Sequence, residues 1–243
     1  RLRAALMRTL LVGGGDAATS PMPAAGLQAV VFDMDGLMLD TERIALECWT
    51  ATATELGWEL ARETCLKLVG LDQHESRRVL LECLDERFPL AEVSARARVA
   101  YLARLRGEGI GLKPGLLELL DWLAARGVPV AVATSTRSEL AREKLALAGI
   151  DRRFVTVACA DQVGRGKPAP DVYLAAVERL AADPARCIAL EDTDVGLRAA
   201  HGAGLRCIVV PDLRPPLPEY EALAHAIVPS LREARALLAA LLD

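Results

Sequence analysis

The sequence predicts an α/β fold, a parallel-sheet core that carries an inserted all-helical block. Three observations predict it. Short apolar runs recur at residues 27–32, 128–133, 154–158, 187–190 and 205–210, and several end abruptly in acidic or hydroxyl residues, as buried parallel strands do. Helical patterns separate the later runs, and strand, helix and strand in succession implies parallel pairing with a right-handed crossover. Between the first run and the second, residues 42–109 hold helical periodicity alone. The core is therefore read as Rossmann-like.

Taken in order, residues 1–24 pair a basic, briefly apolar start with Gly13-Gly14-Gly15 and Pro21-Met22-Pro23, and read as an extension outside the fold. The core is assigned to 25–40 and 111–243, the helical block to 41–110. Its first strand, 27–32, runs into Asp33-Met34-Asp35-Gly36. Past Thr41, the apolar residues Ile44, Leu46, Trp49, Ala53 and Leu56 share one helical face, and Gly57 stops the helix. Further helices are expected over 62–68, 73–86 and 90–106, with Gly107, Gly109, Gly111 and the 40–41 segment as hinges. An all-helical insertion at this point lies over the C-terminal edge of the sheet, where a lid can exclude water.

A helix over 116–126 ends at Gly127, and the strand over 128–133 stops at Thr134-Ser135-Thr136 before a helix over 138–147. Later helices are expected from Asp171, from Asp194 (read as an N-cap) through 203, and over 230–242, with a short edge strand at 226–228.

Hydrophobic residues make up 52% of the chain and aromatics only 4%, so the core is built from Ala, Leu and Val. A net charge of −4 excludes a protein that tracks nucleic-acid phosphates by bulk electrostatics. No apolar run approaches the roughly 18 residues of a membrane span. The six cysteines form no C-x-x-C pair and read as buried thiols in a reducing, cytoplasmic setting. His201 and His225 are read as surface residues, and Trp49, Trp58 and Trp122 as packing. Nothing in the sequence specifies an oligomeric state.

The chemistry gathers where strands end. Asp33 and Asp35 lie just past a strand's carboxyl end, the edge at which open α/β sheets bind ligands. Their charges require a cation or a shared proton, although an isolated Asp-x-Asp-Gly can also merely open a turn. Thr134 and Ser135 end the second strand, where hydroxyls and free N–H groups either cap a helix or hold phosphate. Lys167 is pinned between Gly166 and Pro168, either as a point charge for a phosphoryl oxygen or as a solvated turn lysine. Glu191-Asp192 closes another apolar strand in paired acids.

In order and placement these four stretches resemble the motifs of the haloacid dehalogenase superfamily, in its phosphatase and phosphomutase branch. The resemblance runs from about residue 27 to the C-terminus, with Thr193 in place of the usual serine of the fourth motif. It implies a helical cap over 41–110 and a phosphoryl-transfer reaction. In that reaction Asp33 is the nucleophile, Asp35 the general acid and base, and Lys167 and Thr134 a phosphoryl clamp with Ser135 assisting. The implied cofactor is Mg2+, held by Asp33, the Asp35 carbonyl, Asp192 and, directly or through water, Glu191. The acid at position 35 disfavours carbon–halogen hydrolysis. Mutases of the branch carry a histidine where this chain has Ala45 and a cap-loop arginine where it has Gln73. Both losses favour a phosphatase over a β-phosphoglucomutase-like enzyme, with a small phosphorylated metabolite as the partner. His74, in the expected cap loop, is read as a solvated helix-start residue, with contact to substrate as the alternative. Because a fold does not set function, a phosphometabolite-binding protein is the remaining alternative.

Overall fold

The computed structural model describes residues 26–67, 78–80, 82–84 and 87–242. Six strands form one sheet: β1 (Ala29–Phe32), β2 (Val130–Thr134), β3 (Thr156–Cys159), β4 (Cys187–Glu191), β5 (Arg206–Val209) and β6 (Ala226–Ile227). Their order is β3-β2-β1-β4-β5-β6, and every pairing is parallel. The chain thus winds outward from β1 to one side, then crosses to β4 on the other. This makes β1 the centre of the sheet and its carboxyl end the topological switch point.

The strand register explains the three layers. On one face, Val30 and Phe32, Val132, Ile188, Leu190 and Ile208 pack under α4 (Leu116–Ala125), α5 (Ser138–Leu147) and α9 (Leu231–Leu242). On the other face the alternate residues Ala29, Val31, Ala131, Ala133, Ala189 and Cys207 meet α6 (Asp171–Arg179) and α7 (Asp194–Gly202). Period-2 alternation sends the large side chains to one face and the small ones to the other, so α6 and α7 can lie close to the sheet. A short α8 (Pro218–Glu221) precedes β6.

Between β1 and α4 run α1 (Thr41–Glu55), α2 (Arg62–Leu66) and α3 (Leu90–Glu108). The end of this segment nearest the sheet joins the main core through Ile44, Cys48 and Leu105. Its far end has a core of its own, Ala53, Leu60, Cys65, Phe88 and Val93, against which Trp49 and Trp58 pack. The two connections to the sheet domain run side by side, the Asp40 N–H donating to the Gly111 carbonyl at 2.9 Å and Leu39 bridging Leu112.

Several expectations are corrected. β2 begins at Val130 because the Val128 N–H still closes the preceding helix on the Leu123 carbonyl. His225 is buried, 8% exposed, with its backbone N–H bonded to the Cys207 carbonyl, and burial together with Arg206 lowers its imidazole pKa. Cys83 is exposed, whereas the other five thiols are buried. Asp194 is not the cap of α7: the Thr193 hydroxyl accepts from the Gly196 N–H at 3.1 Å, and Asp194 pairs with Arg214 instead. Of the helix expected over 73–86, residues 78–80, 82 and 83 are helical, and the rest of that stretch lies outside the described residues except Leu84. No helix among the described residues is long and apolar enough to cross a membrane.

Candidate active site

Parallel pairing brings the ends of β1, β2 and β4 to one edge, with Phe32 in register with Val132 and Leu190. The chain then continues the ladder one step further, the Asp33 N–H donating to the Leu190 carbonyl at 2.9 Å. Side chains from separate segments consequently meet. Asp33, Glu191 and Asp192, all buried, each offer a carboxylate oxygen within 4.8 Å of the others.

Lys167 enters this group from the loop before α6. Its ammonium lies 2.6 Å from Asp33 and 2.5 Å from Glu191, and the residue is only 6% exposed. The Tyr173 hydroxyl donates to the same Glu191 oxygen at 2.6 Å, and the Asp192 N–H donates to the other. Glu191 is thereby held by donors on both sides and in turn fixes Lys167. Burial acts against the Lys167 ammonium, but Asp33 and Glu191 outweigh it and raise its pKa.

Two glycines make the crowding possible. A Cβ on Gly36 would lie 2.2 Å from an Asp192 oxygen, and its φ of +85° is one that other residues rarely adopt. A Cβ on Gly196 would fall 1.9 Å from the Glu191 carboxyl group. The glycine three residues into the opening motif and the one that follows Glu191 by five therefore each make room for a carboxylate.

The charge is not balanced. Burial, then the neighbouring carboxylates, pushes Asp192 well above the ordinary carboxylate range. Asp33 is driven the same way by burial and Glu191, with Lys167 opposing. The Asp192 Oδ2 atom is buried without a hydrogen-bond partner among the described residues. Three buried carboxylates, one lysine and an unpartnered oxygen fit a hard divalent cation, which takes oxygen ligands.

Asp35 is outside that trio. Its carboxylate accepts from the Thr41 hydroxyl at 2.6 Å, the Thr136 hydroxyl at 2.7 Å and the Lys144 ammonium at 2.6 Å. Burial would raise its pKa, but Lys144 and the two hydroxyls lower it on balance. Glu42 is close by, its carboxyl pushed up to about 7 by burial, Asp35 and Asp212. Thr134 is buried, its oxygen accepting from the Thr136 N–H at 3.0 Å, and Ser135 is exposed. Gln73 and His74 lie outside the described residues.

Sequence reasoning missed Lys144, Tyr173 and Glu42 as members of this neighbourhood and gave Thr136 no part. Thr136 stands in the hydroxyl run Thr134-Ser135-Thr136, a signal from which it could have been found. Lys144 and Tyr173 sit in helices of ordinary periodicity and carry no local signal.

The haloacid dehalogenase-like hydrolase profile matches residues 30–210. This chain belongs to that family. Among the relatives of this haloacid dehalogenase-like hydrolase, a phosphorylated carbohydrates phosphatase of Thermotoga maritima is 29% identical over 214 residues, covering 88% of this chain and 91% of the relative. Protein CbbY of Cereibacter sphaeroides is 36% identical over 198 residues, covering 76% and 84% respectively. A crystal structure of CbbY from Rhodobacter sphaeroides in complex with xylulose-(1,5)bisphosphate superposes with a TM-score of 0.71 at 30% identity, covering 85% of this chain and 96% of that one.

Proposed function

We propose that this hydrolase is a magnesium-dependent phosphatase of a small phosphomonoester, a sugar phosphate or nucleoside-type monophosphate, and that it works through an aspartyl-phosphate on Asp33. The observation that carries the reading is the Asp33 carboxylate held at 2.6 Å by a buried lysine, inside a carboxylate trio that has one oxygen unpartnered. The relatives' names, a carbohydrate phosphatase and a protein crystallised with a sugar bisphosphate, support the substrate class.

Asp33 attacks phosphorus while Lys167 keeps the nucleophile oriented and offers its ammonium to a phosphoryl oxygen. Thr134 and Ser135, at the end of β2, present a hydroxyl and backbone N–H groups to the same phosphoryl group. Asp35 hands its proton to the departing oxygen and, as a carboxylate, later takes one from the water that cleaves the aspartyl-phosphate. Asp33, Asp192 and the Asp35 carbonyl would hold the magnesium ion, with Glu191 directly or through water. When bound, it supplies positive charge that lets an anionic nucleophile meet an anionic ester.

Residues 41–110 are proposed as the cap and 25–40 with 111–243 as the catalytic core. The separate packing of the far helical end and the paired connections near Asp40 and Gly111 support this division. Ala45 and Gln73 lack the groups that would grip a second phosphate, which favours hydrolysis over isomerisation. Six free cysteines, five of them buried, suit the reducing cytoplasm.

A screen of phosphomonoesters for phosphate release, with and without magnesium, tests the reading. Metal-dependent turnover of a small monoester is expected. Release from no member of the panel, or turnover undiminished by a chelator, would sink it.

A further inference from the structure

A buried lysine outside the four motifs completes the surroundings of Asp35. Lys144 lies on α5, 4% exposed, with its ammonium 2.6 Å from Asp35 Oδ1. The remaining donors to Asp35 come from elsewhere in the chain, the Thr41 hydroxyl at the start of α1 and the Thr136 hydroxyl after β2. Lys144 also lies 5.3 Å from the ring centre of Tyr101 on α3. One carboxylate thus has three donors from three segments shared between its two oxygens, a set that permits a single orientation. An ammonium taken this far from water is costly unless its partner is fixed and charged.

We infer that Lys144 is a positioning residue of the reaction: with the Thr41 and Thr136 hydroxyls it holds the Asp35 carboxyl group in one orientation, and through Asp35 it governs how readily a poor leaving group departs. The inference rests on the proposed phosphatase reading. In the first half-reaction a bond forms between an Asp33 oxygen and phosphorus, and the bond from phosphorus to the ester oxygen breaks. The electron pair stays on that oxygen, which receives a proton from Asp35; Asp35, a carboxylate in the free site, takes that proton up from the phosphoryl group of the substrate monoanion. Asp35 is left as a carboxylate facing the Lys144 ammonium, so the charge it gains is met by a cation already in place. A leaving group stable as an anion needs no proton and should be indifferent to this arrangement.

The test compares two substrates, p-nitrophenyl phosphate and the alkyl phosphomonoester that the wild type turns over fastest. Lys144→Met is expected to lower kcat at least about tenfold more for the alkyl ester than for the aryl ester, within the range that a positioned acid contributes. In an Asp35→Asn background the same substitution should add less than about a twofold loss, since the two residues act as one unit. Lys144→Arg should recover part of the alkyl activity. Equal losses on both esters, or a full further loss in the Asp35→Asn background, would overturn the inference. If circular dichroism shows Lys144→Met to be unfolded, Thr136→Val and Lys144→Arg carry the same comparison: a selective alkyl loss supports the inference and equal losses reject it. A wild type inactive on every ester would instead overturn the phosphatase reading itself.

Discussion

At the scale of single residues, the site is a problem of charge density that one lysine and two missing side chains ease without balancing. Lys167 bridges Asp33 and Glu191, while the Gly36 and Gly196 backbones give Asp192 and Glu191 their space. Asp33→Asn should abolish turnover, a loss of at least about a thousandfold in kcat, as removal of a nucleophile does elsewhere. Phosphate release checks this, and a residual rate within tenfold of wild type would remove Asp33 from the nucleophile's role. Gly36→Ala imposes a left-handed backbone on a Cβ residue, about 1–2 kcal/mol of strain, and drives the new methyl into Asp192. Denaturant unfolding should show that loss, and magnesium titration should show weakened binding. At this scale the motif acids and Lys167 were legible because each follows an apolar strand or stands in a Gly/Pro frame. Lys144 was not, since a lysine in Ser138–Leu147 reads as one more solvated helical position until the fold buries it.

Among elements, the coupling between β4 and α6 matters most for the site. Tyr173 points from α6 to the last residue of β4, and its hydroxyl donates to Glu191 at 2.6 Å. Tyr173→Phe leaves a buried carboxylate one donor short and should cost about 1–3 kcal/mol. The midpoint of urea unfolding measures it, and an unchanged midpoint would mean that Lys167 and the Asp192 N–H suffice for Glu191. Element order and the strand cores were readable because apolar runs of this length have few alternatives. Their ends were less so: Val128 belongs to the close of α4 and Asp194 lies inside α7, because turn hydrogen bonds and the Thr193 cap decide boundaries that hydrophobicity does not register.

For the whole molecule, the acidic edge ties stability to pH and, on the proposed reading, to magnesium. Asp33 and Asp192 are raised well above the ordinary range and Glu42 to about 7, so the metal-free fold retains protons at this edge that the unfolded chain releases near about pH 4. Stability therefore falls as pH rises from there until the folded groups ionise. Asp35 has the opposite sign, its contribution being present above the ordinary carboxylate pKa and lost below it, outside this window. In chelator the melting temperature should drop between about pH 5 and about pH 8, and magnesium should raise it more at the higher pH. Glu42→Gln should lessen the metal-free drop. A magnesium-induced shift equal at both pH values would contradict the account.

By itself the sequence determined the class of fold, the run of strands and the residues that carry charge to their ends, because hydrophobic period and chain punctuation are local properties. Only the tertiary structure decided which of those charges touch, that Tyr173 and Lys144 join them and that Gly36 and Gly196 must be bare. Those outcomes depend on strand order and helix depth, which place residues more than a hundred positions apart within 3 Å of each other, as Lys144 and Asp35 are.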